Sequence, residues 1–175
     1  MAGLNYISLA LGLILGTYVT SFSNAYIYRR LQKQSDDVVL PEHRVPMMFV
    51  GSVLPPVGLL WYGWSAQARL HWVMPNIGAL LFTAGAVTNF ACIRLYLADA
   101  YTTFAASALA SALVLRNLTA FGFPLFAPHM YGSLGYGWGN TLLALVAVVI
   151  GGPVPFVLWR YGAKIRARSG FVHGI

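Results

Sequence analysis

Few side chains in this sequence can do chemistry, and the most prominent is Arg116. It lies inside an apolar stretch, residues 94–131, behind a run of small residues (Ala105, Ala106, Ser107, Ala108, Ala110, Ser111, Ala112) and ahead of Phe123-Pro124-Leu125-Phe126. An ionisable group inside a bilayer costs about 2.5–3.5 kcal/mol on insertion scales, so it faces protein or water and often marks a solute pathway. Two readings of Arg116 are open: the cation of a binding site or gate, or a structural arginine bonded to carbonyls or a neighbouring helix. The small residues would let a second helix come close, which points to a packed bundle. Asp99 is the only acid outside the segment that follows the first apolar run. It stands where a third helix ends and a fourth begins, and is expected to cap the fourth; a pair with Arg94 is the alternative. His43, His71, His129 and His173 lack metal-ligand spacing, and no paired carboxylates occur. Cys92 is the single cysteine and lies in an apolar run, so no disulfide forms within the chain. Hydrolytic and metal chemistry drop out, no cofactor is implied, and an enzyme is not expected.

The elements that must position these groups are membrane helices. The 175 residues are 58% hydrophobic and only 9% charged, with mean hydropathy +0.68, whereas soluble domains carry roughly a quarter charged residues. The net charge of +7 is not a nucleic-acid footprint, because the basic residues cluster in two short segments, as cytoplasmic flanks do. A spanning helix needs about 20 apolar residues, and five stretches qualify: about 4–28, 45–64, 72–96, 101–126 and 138–159. The first has no preceding Lys or Arg and is too long for the core of a cleavable signal. Trp61, Trp64, Trp72, Trp138 and Trp159 fall at segment ends, where interfacial aromatics sit.

Orientation follows from charge. Arg29, Arg30, Lys33 and Arg44 lie in the 29–44 loop, Arg160, Lys164, Arg166 and Arg168 in the 160–175 tail, and Arg94 at the end of the third helix, nine in all; the opposite side has only Arg69. The positive-inside rule puts the N-terminus outside and the C-terminus in the cytosol. On this topology Arg116 lies fifteen residues past Tyr101, about 22 Å into a core about 30 Å thick.

Polarity divides the helices. The first holds Thr17, Tyr18, Thr20, Ser21 and Asn24, the third Asn76, Thr83, Thr88 and Asn89, and the fourth Ser107, Ser111, Arg116, Asn117 and Thr119; the second and fifth are nearly without polar groups. Polar groups in hydrocarbon need partners or water, so helices one, three and four are expected to face a cavity and two and five to face lipid. Pro55-Pro56, Pro124 and Pro153-Val154-Pro155 remove backbone donors, and Gly12-Leu-Ile-Leu-Gly16 is a GxxxG match read as packing within the chain. Asn117-Leu118-Thr119 matches a glycosylation sequon, but lies within the bilayer.

The residues also carry a resemblance. Pro41-Glu42-His43-Arg44-Val45-Pro46, Gly58-Leu59-Leu60-Trp61-Tyr62-Gly63-Trp64, Tyr96-Leu97-Ala98-Asp99-Ala100-Tyr101, Ala105-Ala106-Ser107-Ala108, Phe123-Pro124-Leu125-Phe126, Met130-Tyr131-Gly132-Ser133-Leu134-Gly135 with Trp138, and Pro153-Val154-Pro155-Phe156 occur in order over residues 6–169. The chain thereby resembles the C-terminal half of fungal major facilitator superfamily transporters, in the twelve-helix drug:proton antiporter group with polyamine-exporter-like members.

That resemblance implies an all-α bundle corresponding to helices eight to twelve, in which eight, ten and eleven border the cavity. It implies, for the complete protein, proton-coupled export of organic or cationic solutes such as drugs or polyamines by alternating access, in the plasma membrane. Arg116 would be the cavity cation, with Ser107, Ser111, Asn117, Asn89 and Tyr18 as polar groups and Phe82, Phe121 and Phe123 as walls; Asp99, Arg94 and Pro124 would be structural or gating residues. The implied partners are the lipid bilayer, the solute and an N-terminal bundle or its replacement. The alternative is a membrane subunit or truncated product that transports nothing without a partner.

Overall fold

A computed structural model describes residues 2–34, 44–101 and 104–168. It forms five helices: α1 (Ala2–Gln34), α2 (Val45–Gln67), α3 (Val73–Ala100), α4 (Ala105–Gly151) and α5 (Pro153–Arg168). No strand occurs among the described residues. Helix is the form expected of such apolar runs, since it satisfies each backbone group within its own segment. Among the described residues four stretches are long and apolar enough to cross a membrane: Tyr6–Arg30, Val45–Gln67, Val73–Ala100 and the 58-residue Ala105–Gly162.

At 1.5 Å per residue the last of these would measure about 87 Å if straight, nearly three bilayer cores. It is not straight. Gly135 has φ 75° and ψ 174°, a conformation open essentially to glycine alone. It divides α4 into a first arm (105–134) and a second arm (136–151). As residue numbers rise along α3 they fall along the first arm: Phe90 meets Arg116, and Arg94 and Ala98 share a groove with Leu113 and Leu109. The second arm opposes α2 in the same manner, with Gly63 against Asn140 and Trp64 against Trp138. Because α2 and α3 are themselves antiparallel, the two arms run in opposite directions.

The expected boundaries change accordingly. The fourth helix begins at Ala105 instead of Tyr101, and the 127–137 stretch expected as a loop is helical except at Gly135. Eleven residues past Ala105, the arginine lies about 16 Å along the arm, half the thickness of a core of about 30 Å. Helix α2 continues through Pro55 and Pro56, and α4 through Pro124 and Pro128.

Close approach of backbones sets the packing. A Cβ on Gly78 would sit 2.6 Å from the Tyr62 amide nitrogen, and one on Gly58 would collide with the Phe82 nitrogen. Helices α2 and α3 therefore meet where side chains are absent. Helices α1 and α3 run parallel in a fixed register, 68 residues apart. Ser8 Oγ donates to Asn76 Oδ1 at 3.0 Å, the Thr20 and Thr88 hydroxyls bond at 2.7 Å, and Asn24 Nδ2 reaches Cys92 Sγ at 3.5 Å. Between these steps Gly12 faces Leu80 and Gly16 faces Ala84, so the GxxxG pair packs within the chain. Repetition every four residues keeps one face of α1 on one face of α3, and small residues there gain dispersion contacts that lipid would not supply.

This seam changes the meaning of the polarity census. Ser8, Thr20, Asn24 and Thr88 are buried and bond across α1 and α3 instead of bordering water, while Asn76, the partner of Ser8, also lines a cavity. Helix α2, expected to be peripheral, packs against both α3 and α4 while exposing an apolar row that includes Phe49, Val50, Val53, Val57 and Trp61. At the end where α2 begins and α3 finishes, Val45, Met47, Met48, Cys92, Tyr96 and Ala100 form the buried core.

Candidate functional site: a cationic groove beside an apolar cavity

Helices α1, α3 and the first arm of α4 enclose a groove of about 520 Å³, lined by Thr17, Ser21, Ala91, Arg94, Leu95, Ala98, Leu109 and Leu113. Its polar groups are two hydroxyls and one guanidinium. Thr17 Oγ1 donates to its own helix at Leu13 O, 2.7 Å away, which leaves its lone pairs free to accept. The groove joins the three helices that the polarity census assigned to a cavity.

One helical turn along the same seam, Arg116 lays its guanidinium over the Phe90 ring, 4.5 Å from the centroid. Cation–π contact of this kind contributes about 0.5–1 kcal/mol where exposed and more where water is excluded. It orients the cation without neutralising it. Behind Phe90 lies a second cavity of about 580 Å³ between α2, α3 and both arms, whose lining includes Phe82, Asn89, Phe90, Thr119 and Phe123. Both volumes suit a small organic molecule.

The sequence-derived site is thus gathered in part. Arg94 lines the groove, Arg116 stands beside it, and Asn89, Phe82 and Phe123 line the cavity. Ser107 and Ser111 are exposed and donate back to Phe104 O and Ser107 O, both at 2.9 Å, the usual way a helix satisfies a serine in apolar surroundings. Tyr18 and Phe121 project outward at 75% and 71% exposure, and Asn117 is likewise exposed. Pro124 follows Phe123 within the exposed run of the first arm.

Asp99 does not cap the fourth helix. It lies in the last turn of α3, and the N-cap of α4 is Phe104, without a side-chain cap. Its partner is not Arg94 but Arg44, whose Nε donates to Asp99 Oδ2 at 2.5 Å. The Arg44 guanidinium also covers the Tyr28 ring at 4.5 Å and lies 3.5 Å from Asn24 Oδ1. One arginine therefore ties the ends of α1 and α3 to the start of α2. In the sequence Arg44 stands out only as one of the basic residues of the 29–44 segment and as part of the Pro41–Pro46 motif; an acid and a base 55 residues apart carry no local signal of pairing. Pro41, Glu42 and His43 lie outside the described residues.

Among the described residues no group of three His, Cys, Asp or Glu side chains could hold a metal ion. The arrangement offers positive charge, hydroxyls and aromatic walls, suited to holding an organic molecule.

Known proteins resemble the chain over nearly its whole length. Over 174 residues, 99% of this chain, it is 47% identical to the efflux pump vrtL of Penicillium aethiopicum, of which it covers 34%. It is 47% identical over 171 residues to the MFS-type transporter oryF of Aspergillus oryzae, with 98% of this chain and 36% of the relative aligned. With the efflux pump radE of Floropilus chiversii the identity is 41% over 172 residues, 98% of this chain and 32% of the relative. No family model matches, and no solved structure does. The chain is thus a homologue, over nearly its whole length, of fungal efflux pumps and MFS-type transporters, and it spans about a third of their length.

Proposed function

We propose that this chain supplies the C-terminal helices of a major facilitator transporter that exports an organic solute. The observation that carries the reading is the groove of α1, α3 and the first arm, which has a cation and hydroxyls in an otherwise apolar wall. It is supported by 47% identity across almost the entire chain to a protein named an efflux pump. The five passes of the backbone, with α4 counted as two, are then five crossings, and the excess of Lys and Arg on one side puts the C-terminus in the cytosol. The plasma membrane and coupling to protons follow from the resemblance to the drug:proton group.

In this reading the groove is one wall of a central path, and a second bundle completes it. Alternating access needs two bundles rocking about a site near mid-membrane. The first arm presents Val114, Leu115, Leu118, Phe121 and Leu125 at 60% exposure or more, a surface available to that bundle or to lipid. Arg116, near mid-depth, is the residue assigned to the solute site.

The test is a chimera in which this chain replaces the aligned part of the efflux pump to which it is 47% identical, assayed for solute efflux from cells. Efflux above the vector control supports the reading, with loss in Arg116→Ala at equal protein level. Correct membrane insertion with no efflux, or full efflux in Arg116→Ala, would remove the transport claim or the role of Arg116 respectively.

A further inference from the structure

We infer that the groove between α1, α3 and the first arm selects organic anions, a carboxylate carried on an apolar body, over cations such as polyamines. The inference rests on the groove being a wall of the solute path. It starts from a charge imbalance: Arg94 lines the groove, and Arg116 lies over Phe90 on the same seam. Phe90 and Arg94 are four residues apart on α3, so they share a face and are separated by about 6 Å of rise. One guanidinium therefore lines the groove and a second stands about one helical turn away, beside it.

No carboxylate answers them among the described residues. The sequence has four acids; Asp36, Asp37 and Glu42 lie outside the described residues. The fourth, Asp99, is held by Arg44 at the rim. Arg94 and Arg116 are exposed, and a guanidinium set beside an apolar groove is stabilised by an anion that enters it. A carboxylate fits best, because the planar fork of Arg can donate two parallel hydrogen bonds to it.

The rest of the wall accommodates the body of such a molecule. Leu95, Leu109 and Leu113 offer apolar surface, and Ser21 and Thr17 offer hydroxyls on the opposite side. A polyamine would find Arg94 in the groove, Arg116 beside it and no acid among the described residues, so like charge would oppose it.

The test uses the chain in nanodiscs of uncharged lipid and three probes that share one ring system: 2-naphthoate, 2-naphthalenemethanol and 2-naphthylmethylammonium. The carboxylate is expected to bind about tenfold more tightly than the alcohol, the factor that one charge-assisted hydrogen bond of ordinary strength supplies. The ammonium is expected to bind most weakly, and salt to narrow the gaps. Arg94→Gln and Arg116→Gln should each remove most of the carboxylate's advantage, while Arg94→Lys and Arg116→Lys keep a measurable part of it and control for folding. Equal binding of the three probes, tightest binding of the ammonium, or an unchanged carboxylate preference in the Arg94→Gln/Arg116→Gln protein would overturn the inference. Efflux by the chimera with the 47%-identical efflux pump separates anion binding from transport. Selective carboxylate binding without efflux supports the anion site and contradicts the transport reading; preferential efflux of the ammonium does the reverse.

Discussion

Replacing Arg44 with Gln should loosen the end of the bundle where α2 begins and α3 finishes, and the single cysteine provides the measurement. The substitution removes the charge-assisted hydrogen bond to Asp99 and the contact with the Tyr28 ring. Such a bond contributes about 1.5–3 kcal/mol and an exposed cation–π contact about 0.5–1 kcal/mol. Leaving one member of a fully buried pair costs about 3–5 kcal/mol, but the two side chains are 16% and 24% exposed, so solvent reduces the loss. The expected local destabilisation is about 2 kcal/mol, near the lower part of these ranges. Cys92 is fully buried and packs in the core that begins at Val45, directly after Arg44. Maleimide labelling of Cys92 in detergent or nanodiscs should therefore accelerate about 30-fold if it proceeds through local opening. Asp99→Asn, which keeps an acceptor for Arg44, should give a smaller increase, and the double variant less than the product of the singles. A rate within about threefold of the parent for Arg44→Gln, equivalent to under 1 kcal/mol, would refute the reasoning and make the pair a surface ornament.

The parallel seam of α1 and α3 predicts that Thr20→Cys and Thr88→Cys, made together in a Cys92→Ala background, cross-link under mild oxidation, since the native hydroxyls are 2.7 Å apart. Failure to cross-link while Thr20→Cys pairs with a neighbouring turn of α3 would mean the register is wrong. Gly135→Ala should cost about 1–3 kcal/mol, the usual penalty for a left-handed non-glycine residue, visible as a lower thermal midpoint; an unchanged midpoint would mean that the turn can adopt another conformation. Gln67→Ala removes the acceptor of the Gly137 amide, 2.6 Å away, and should lower stability by about 1 kcal/mol, measured by the same melt.

The fold was legible wherever one physical rule dominates. Long apolar runs with tryptophans at their ends gave the helices, because length and hydropathy alone decide insertion. The turn between the two arms was harder. Residues 127–137 have no charge and a proline at 128, which reads as a loop, yet helix persists on both sides of one glycine whose φ is 75°. The glycines at 132, 135, 137 and 139 mark the region as a turn, but which of them takes the positive φ is set by packing and not by local sequence.

The candidate site was legible by residue type and less so by direction. Arg116 was marked by the cost of burying charge, and Arg94 by its place at a helix end. What each serine or threonine bonds to depends on rotation of its helix. Ser111 turns back to its own backbone while Thr20 spans two helices, and nothing in the apolar sequence around them distinguishes the two. Asp99 and Arg44 are a clearer instance, because only the antiparallel pairing of α2 with α3 brings them together.

The most direct test of the account is solute protection in the chimera carrying this chain. Single cysteines at Ser21 and Leu113 in the groove, and at Val154 and Phe156 on exposed positions of α5, would be labelled in a Cys92→Ala background with and without the exported solute. The account predicts that solute slows labelling at Ser21→Cys and Leu113→Cys and leaves Val154→Cys and Phe156→Cys unchanged. Equal labelling with and without solute at the groove positions, in protein that still exports, would place the solute path elsewhere and contradict it.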